Sequence, residues 1–317
     1  MSDTLYVVVP CYNEEEILNH TAQRLADKIE YLVNEGTISA DSMIVFVDDG
    51  SKDSTWDIIK SLSSHCNNIA GIKLSCNAGH QNALYAGLMS VKDKADVVIS
   101  IDADLQDDIN AIDDMLSEYA KGNAIVYGVR TNRASDKFFK RASARCYYKI
   151  LMSLGCDIIP DHADYRLMDS RSLEALSQYG EQRLFIRGII PMLGYKTSII
   201  EYTRGVRKAG KSKYPLKRML TLAVDGITAL SLRPLRLITI LGVLLLIISA
   251  FFLFLMIVSV SNGEPVFGWK LVMFSIWVIG GIITLSVGIV GEYIGRVYNE
   301  TKKRPRYFVE EFLNFPE

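Results

Sequence analysis

Short apolar runs alternate with amphipathic stretches over the first half of the chain. Five runs are rich in β-branched residues and nearly continuous, as strands buried on both faces of a sheet require. They are Leu5–Pro10, Met43–Asp49, Ile69–Ser75, Asp96–Asp102 and Ala124–Arg130. The stretches between them place apolar residues at helical spacing, as between Ile17 and Leu32. This alternation predicts an α/β fold with βαβ units and a mostly parallel sheet.

Polar clusters follow the first four predicted strands. In chain order they read PCYNEE, DDGSKDST, SCNAGHQNAL and DADLQDD. Ligands of such sheets bind beyond the carboxyl ends of the strands. We therefore expect the four clusters to meet at one edge of the sheet and to form the functional site.

The C-terminal third is much more apolar. Residues 235–260 contain Arg236 as their only charge, and residues 269–290 contain only Lys270. As helices they would be about 39 Å and about 33 Å long, enough to cross a hydrocarbon core of about 30 Å. Nine basic residues and one acidic residue lie within 204–236, and five more basic residues lie within 296–306. Because basic flanks stay inside, we expect two transmembrane helices with both termini in the cytoplasm; two buried core helices are the alternative.

These patterns divide the chain into four parts. We predict an α/β domain over 1–203, a basic amphipathic juxtamembrane segment over 204–234, two spans within 235–290, and a cytoplasmic tail over 291–317. The juxtamembrane segment could lie among lipid headgroups or pack as an ordinary helix. The predicted location is the inner or plasma membrane, with multiple spans and the α/β domain in the cytoplasm.

Composition excludes some classes of partner and cofactor. The chain has 35 basic and 36 acidic residues, so nothing in its charge indicates a nucleic-acid partner. The five cysteines form no C-x-x-C pair, and the four histidines do not form a ligand set, so we expect reduced thiols and no zinc. A homo-oligomer is compatible with the sequence.

The acidic cluster at the end of the fourth strand is the main chemical signal. It holds Asp102, Asp104, Asp107 and Asp108 within seven residues. Carboxylates this close repel one another unless a metal ion, a basic side chain or water lies among them. Asp102 and Asp104 form a D-x-D pair, which suits a hard divalent cation that also contacts a diphosphate. Gln106 would project to the same side if the strand continued.

Asp48 and Asp49 form a second acidic turn with Gly50 and Ser51. In isolation this is typical of an Asx turn in which glycine supplies a positive φ. Carboxylates at a strand end can also accept hydrogen bonds from a uracil ring or ribose hydroxyls. The shared sheet edge favours this nucleotide-binding interpretation.

An ordered set of motifs resembles glycosyltransferase family 2, specifically its polyprenyl-phosphate branch of dolichol-phosphate mannose synthases and bacterial undecaprenyl-phosphate glucosyltransferases. The motifs are VVVPCYNEEE, VDDGSKDST, NAGHQNAL, DADLQD, YGVR, DYRLMD and GKSKYPLKRML, followed by the two apolar segments. The resemblance covers nearly the whole chain. It implies a GT-A fold, a nucleotide-sugar donor, Mg²⁺ or Mn²⁺, and inversion at the anomeric carbon.

Site residues follow from the resemblance at the matching positions. Nucleoside contacts would come from Pro10, Tyr12, Glu14 and Asp49. Asp102 would face the ribose and the metal, while Asp104 and Gln106 would bind the metal. Two positions depart from the family pattern. Asp108 replaces a common proline, and RLFIRG has one apolar residue more than a common R-x-F-R-G form, so Phe185 and Arg187 do not align directly with its acceptor contacts.

Basic residues are candidates for holding phosphate. A lipid phosphate with a second pKa near 6 is already an anionic nucleophile at neutral pH, so no strong general base is required. We assign Arg130 and Arg141 to the acceptor phosphate, and Lys211 and Lys213 to a lid over the phosphates; a solvated basic face is the alternative. Asp164 either orients the sugar or forms a structural ion pair with Arg166.

The predicted function is inverting transfer of a hexose, with UDP-glucose as the expected donor, to undecaprenyl phosphate in the bilayer. Other sugars stay open: an N-acetylhexosamine, galactose, mannose or a modified pentose. A processive polysaccharide synthase is disfavoured because the chain lacks a Q-x-x-R-W signature and further spans. A non-catalytic nucleotide-binding membrane protein is the alternative from another class.

Overall fold

A computed structural model of the chain describes residues 2–104, 106–130, 162–181, 185–203 and 269–315. It divides into two compact units. The first comprises Met1–Leu220 together with Pro305–Glu317, and the second comprises Thr221–Arg304. The end of the chain therefore belongs to the same unit as its beginning.

The first unit contains eight strands and six helices among its described residues. The strands are β1 (Leu5–Cys11), β2 (Met43–Asp48), β3 (Ile69–Leu74), β4 (Val97–Ser100), β5 (Ile125–Arg130), β6 (His162–Asp169), β7 (Thr197–Tyr202) and β8 (Val309–Leu313). The helices are α1 (Leu18–Asn34), α2 (Thr55–His65), α3 (His80–Val91), α4 (Ala111–Ala120), α5 (Ser170–Ser177) and α6 (Ile186–Met192).

All eight strands form one sheet in the order β7-β5-β6-β4-β1-β2-β3-β8. The pairs of β1 with β2 and β4, of β2 with β3, and of β5 with β7 are parallel. Only β6 and β8 pair antiparallel with their neighbours. The predicted α/β fold with a mostly parallel sheet is therefore confirmed, and β1 to β5 coincide with the five predicted strands to within two residues at each end.

Helices cover both faces of the sheet, which explains why its strands are apolar on both sides. Leu5, Val7 and Val9 of β1 face a core that α1, α2 and α4 close. The alternate residues Tyr6 and Val8 face a second core under α3, α5 and α6. Because side chains alternate along a strand, a sheet between two helical layers needs an unbroken apolar run.

Strand β8 covers one edge of the sheet. Its residues pair antiparallel with β3, so that Ile72 lies opposite Phe312. Lys73 forms an ion pair with Glu310 at 3.0 Å, and the Ser75 N–H donates to the Phe308 carbonyl at 3.0 Å. Part of the predicted C-terminal tail, 291–317, thus completes the sheet.

The described part of the second unit is one long helix, α7 (Trp269–Thr301). Several of its aliphatic side chains are exposed, among them Val272, Ile276, Ile283 and Val287. Among the residues that the structure describes, no helix is both long enough and apolar enough to cross a membrane. The first predicted span, 235–260, and the juxtamembrane segment, 204–234, lie outside those residues.

Candidate active site

The loops after β1 and β2 are bound to each other at the carboxyl edge of the sheet. Asn13 has a φ of +53°, its N–H donates to the Ser51 hydroxyl at 2.9 Å, and its side-chain oxygen accepts the Lys52 N–H at 2.9 Å. The Glu14 N–H donates to the Thr55 hydroxyl at 2.9 Å. These contacts fix the backbone around Tyr12 and Glu14, two of the four predicted nucleoside contacts, and another of the four, Pro10, is buried within β1.

The two carboxylates of the second acidic turn face different partners. Asp48 is fully buried and accepts the Ser51 N–H, three residues further on, at 3.2 Å, so a local turn of the kind considered for this sequence in isolation is present. Asp49 accepts the N–H of Ala78 at 2.7 Å and that of Gly79 at 3.1 Å. Burial raises the pKa of both carboxyls, although these hydrogen bonds oppose it. Asp49 therefore joins the loop after β2 to the loop before α3, and a nucleotide contact by either residue stays a prediction.

Two basic side chains lie beside Asp102 at the acidic tip after β4. The His80 Nε2 atom is 3.8 Å from one Asp102 oxygen, and the Arg130 Nη2 atom is 4.0 Å from the other. Each has a buried carboxylate as a second partner: Asp164 lies 3.1 Å from His80, and Asp107 lies 2.8 Å from Arg130. Basic side chains thus separate the carboxylates that would otherwise repel one another.

His80 is the first residue of α3. Burial lowers its pKa, but the hydrogen bond and charge of Asp164, with the charge of Asp102, outweigh burial and raise the pKa to about 8. The imidazole therefore carries a positive charge at neutral pH. In the sequence, His80 stands out only as part of the NAGHQNAL motif.

Asp164 of β6 is the centre of a buried ionic cluster. Its carboxylate contacts the Arg166 guanidinium and accepts two hydrogen bonds from Arg187, from Nε at 3.0 Å and from Nη2 at 2.8 Å. Gln81 donates to the same carboxylate at 3.3 Å. Burial raises the pKa of Asp164, but Arg187, His80 and Arg166 outweigh burial and hold it well below its usual range. The ion pair with Arg166 is present, and contact with a sugar stays a prediction.

Two of the three predicted metal ligands are partly exposed at this tip, and the third is buried. The Asp102 side chain is one-third exposed (33%), and Asp104 is also partly exposed, whereas Gln106 is 6% exposed. The Gln106 N–H donates to Asp104 Oδ1 at 3.2 Å, and the Thr21 hydroxyl donates to the Ala103 carbonyl at 2.7 Å, which fixes the turn.

The donor set suits a hard cation only if other ligands complete its shell. Over the described ranges, no three His, Cys, Asp or Glu side chains come together as a metal site. Two accessible carboxylates with an amide nearby leave several positions for diphosphate and water oxygens, as Mg²⁺ and Mn²⁺ sites in nucleotide-dependent enzymes require. Asp102 and Asp104 therefore fit such an ion.

Three of the predicted phosphate-binding residues, Arg141, Lys211 and Lys213, lie outside the described residues. Arg130, by contrast, is at the end of β5 and points to the acidic tip, with Asp107 and Asp102 as partners. Its side chain is 23% exposed, so it does not belong to a solvated basic face.

Comparison with known proteins decides the family. Residues 6–189, more than half of the chain, match the model of glycosyl transferase family 2. The chain belongs to glycosyl transferase family 2. This family 2 member is 47% identical to the uncharacterized glycosyltransferase YkoT of Bacillus subtilis over 96% of this chain and 91% of the relative. It is 36% identical to the bactoprenol glucosyl transferase of Shigella phage SfX over 96% of this chain and 98% of the relative.

Among solved structures, this family 2 glycosyltransferase is similar to the mannosyltransferase PcManGT of Pyrobaculum calidifontis in complex with GDP-Man and Mn²⁺. The two are 17% identical, with a TM-score of 0.49, over 72% of this chain and 64% of that one. The resemblance of the sequence motifs to family 2 is confirmed by the family match and by relatives that are similar over nearly the whole chain.

Several residues of this glycosyltransferase site were not identified from the sequence. Asp107 and Tyr202 hold Arg130, and Gln81 and Arg187 hold Asp164. Asp107, Gln81 and Arg187 lie in clusters or motifs that the sequence analysis quotes, but their partners were not predicted there. Each of these contacts joins residues that lie far apart along the chain.

Proposed function

We propose that this protein transfers glucose from UDP-glucose to undecaprenyl phosphate with inversion, producing a lipid-phosphate sugar for modification of cell-surface glycans. The observation that carries the proposal is similarity over nearly the full length to relatives named bactoprenol glucosyl transferase, at 34–36% identity. Because the similarity includes the C-terminal third, it supports a lipid acceptor as well as a nucleotide-sugar donor.

The arrangement of charges at the sheet edge supports this chemistry. The reaction forms a bond between an oxygen of the acceptor phosphate and the anomeric carbon, and it breaks the bond from that carbon to the diphosphate, which leaves with the electron pair. No proton has to be removed from a phosphate that is already anionic. The protein must instead stabilise two anions, and preformed positive groups such as His80 and Arg130 are suited to this task.

We propose that Asp102 and Asp104, with Gln106 nearby, hold Mg²⁺ or Mn²⁺. When bound, the ion would neutralise negative charge on the departing diphosphate. The two carboxylates would attract the ion. The positively charged side chains of His80 and Arg130 lie next to Asp102. Asp49 joins the loop after β2 to the loop before α3, and this contact would maintain the shape of the proposed nucleoside pocket.

We also propose that the catalytic unit works at the cytoplasmic face of the inner or plasma membrane. The polyprenyl tail cannot leave the bilayer without exposing apolar surface, at a cost of about 0.8 kcal/mol per CH₂ group. The apolar segment 235–260, the exposed aliphatic side chains of α7 and the basic residues on either side of them support two spans that keep both termini inside.

The test is transfer by the full chain in lipid nanodiscs that contain undecaprenyl phosphate. Radiolabelled UDP-glucose, UDP-galactose, UDP-N-acetylglucosamine and GDP-mannose are supplied in turn, and label in the chloroform-extractable lipid is counted. We expect label from UDP-glucose, and its loss in EDTA and recovery with excess Mg²⁺ or Mn²⁺. Label from another donor alone would contradict the choice of glucose. No label from any donor would contradict lipid glycosylation and favour a non-catalytic nucleotide-binding role.

A further inference from the structure

The Arg130 side chain donates hydrogen bonds to two residues that come from different parts of the fold. Its Nε atom donates to Asp107 Oδ1 at 3.0 Å and to the Tyr202 hydroxyl at 3.1 Å, and its Nη2 atom is 2.8 Å from the same Asp107 oxygen. The Tyr202 hydroxyl itself donates to Asp107 Oδ1. Strand β5, the tip after β4 and strand β7 therefore meet at one carboxylate oxygen.

This support is rigid because both residues are buried. Asp107 is 2% exposed and Tyr202 is 5% exposed. The Tyr202 ring packs edge-on against Tyr165, with centroids 5.3 Å apart and an interplanar angle of 82°. The Tyr165 hydroxyl donates to the Asp108 carbonyl at 3.0 Å, so it bonds the backbone of the tip and not Arg130.

The charge of Arg130 is maintained in this setting. Burial lowers its pKa, but Asp107 and Tyr202 outweigh burial and raise it. The guanidinium therefore stays a cation, with its Nη2 atom 4.0 Å from Asp102 on the side of the predicted metal. A free arginine would lose about 2 kcal/mol of rotamer entropy when it became ordered on a ligand, whereas this one is already ordered.

We propose that Asp107 and Tyr202 are positioning residues that hold Arg130 ready for the phosphate of the lipid acceptor. The inference rests on the proposed function and deepens it, because it assigns the acceptor phosphate to a prearranged guanidinium beside the donor site. Arginine suits this role because its planar fork binds phosphate through paired hydrogen bonds. The donor diphosphate is the competing source of phosphate oxygens, and the kinetics of the two substrates distinguish them.

The experiment measures KM for undecaprenyl phosphate and for UDP-glucose separately in the full-length enzyme. Tyr202→Phe removes only a hydroxyl, and we expect it to raise the acceptor KM about fivefold while the donor KM stays within about twofold, as losing one hydrogen bond predicts. Asp107→Asn should raise the acceptor KM further. Tyr31→Phe is the control, since it also removes one tyrosine hydroxyl but from an exposed side chain of α1, and its acceptor KM should match the wild type.

A double-mutant cycle separates positioning from a general structural effect. If Asp107 acts through Arg130, Asp107→Asn should add nothing to the acceptor KM of Arg130→Ala. Additive effects, or a rise in the donor KM alone, would overturn the inference. If Asp107→Asn does not fold, Tyr202→Phe combined with Arg130→Ala gives the same test. A wild type that does not glycosylate the lipid contradicts the proposed function, whereas an active wild type whose Tyr202→Phe variant keeps its acceptor KM contradicts this inference alone.

Discussion

Gly50 packs directly against the backbone of Cys76: a methyl group on Gly50 would lie 2.6 Å from the Cys76 carbonyl carbon. Gly50 also has a φ of +64°, a conformation that glycine adopts at little cost. Only glycine therefore lets the loop after β2 approach the loop before α3 closely enough for Asp49 to accept the N–H groups of Ala78 and Gly79.

Gly50→Ala should consequently impair donor binding. We expect the affinity for UDP-glucose, measured by calorimetry, to fall at least about tenfold, because the displaced loops no longer form the nucleoside pocket. Gly36→Ala is the matched control: Gly36 has a φ of +69° but nothing within 4 Å of the added methyl. It should lose about 1 kcal/mol of unfolding free energy and keep donor affinity. A Gly50→Ala enzyme with wild-type donor affinity would contradict this view of the loop.

Asp104→Asn should reduce kcat/KM at least about a hundredfold, since a neutral amide stabilises a bound divalent ion much less than a carboxylate does. Asp108→Asn is the control at the same tip. Asp108 Oδ1 accepts the Asn110 N–H at 3.0 Å, a bond that an amide oxygen can also accept. Its activity should stay within about threefold of the wild type. If Asp104→Asn keeps full activity, or if the wild type is unaffected by EDTA, the metal assignment is wrong.

The apolar pattern could predict β1 to β5 because both faces of these strands are covered by helices. It could not predict β6, where the charged Asp164 and Arg166 interrupt the apolar run. They are stable there because they pair with each other and because Asp164 also pairs with Arg187. Strand β8 was missed for a related reason. It is an edge strand with Glu310 and Glu311, and charged side chains are what an edge strand exposed to water requires.

The same limit applies to the site. Motifs identified Asp102 and Asp104, which lie within one turn of the chain. Asp107 and Tyr202 are 95 residues apart, so their contact was invisible in the sequence. His80 and Arg130, the basic side chains that separate the carboxylates of the acidic tip, also come from other elements. That basic side chains lie among those carboxylates could therefore be seen only in three dimensions.

The buried cluster around Asp164 should make stability depend on pH at the acidic end. Its pKa is lowered on folding, so its contribution is present above the unfolded pKa of about 3.9 and is lost as pH falls through the lower folded pKa. Asp164→Asn should cost about 3–5 kcal/mol near pH 7, because Arg166, 1% exposed, loses its charge partner.

Urea unfolding of the wild type and Asp164→Asn between pH 7 and pH 3 measures this effect. We expect the difference between the two proteins to shrink as the pH falls below about 4. The variant Arg171→Gln is a control, because Arg171 pairs with Asp169 through an exposed side chain, 71% accessible, and its loss should cost less than about 1 kcal/mol. A pH-independent difference for Asp164→Asn would show that its carboxylate charge is not the cause.

Within the C-terminal strand, Leu313 should contribute more to the stability of the first unit than its neighbour Phe312 does. Leu313 packs against the core beside Gly71, whereas Phe312 is 52% exposed. We expect Leu313→Ala to lower the free energy of unfolding by about 2 kcal/mol, and Phe312→Ala by less than about 1 kcal/mol, in chemical denaturation. Equal losses from the two variants would contradict the packing of β8 against the sheet.

Membrane topology provides the last prediction. The basic residues that flank 235–260 and 269–290 are expected to stay in the cytoplasm, so the short link between these segments should face outward. Single cysteines at Asn262 and Lys302, in a chain whose five native cysteines are replaced, report this with a membrane-impermeant maleimide on intact cells. The Asn262 probe should react at once and the Lys302 probe only after permeabilisation. Transfer activity of the cysteine-free chain confirms that it still folds. The reverse pattern would invert the topology, and two probes that both need permeabilisation would show that the chain does not cross the membrane.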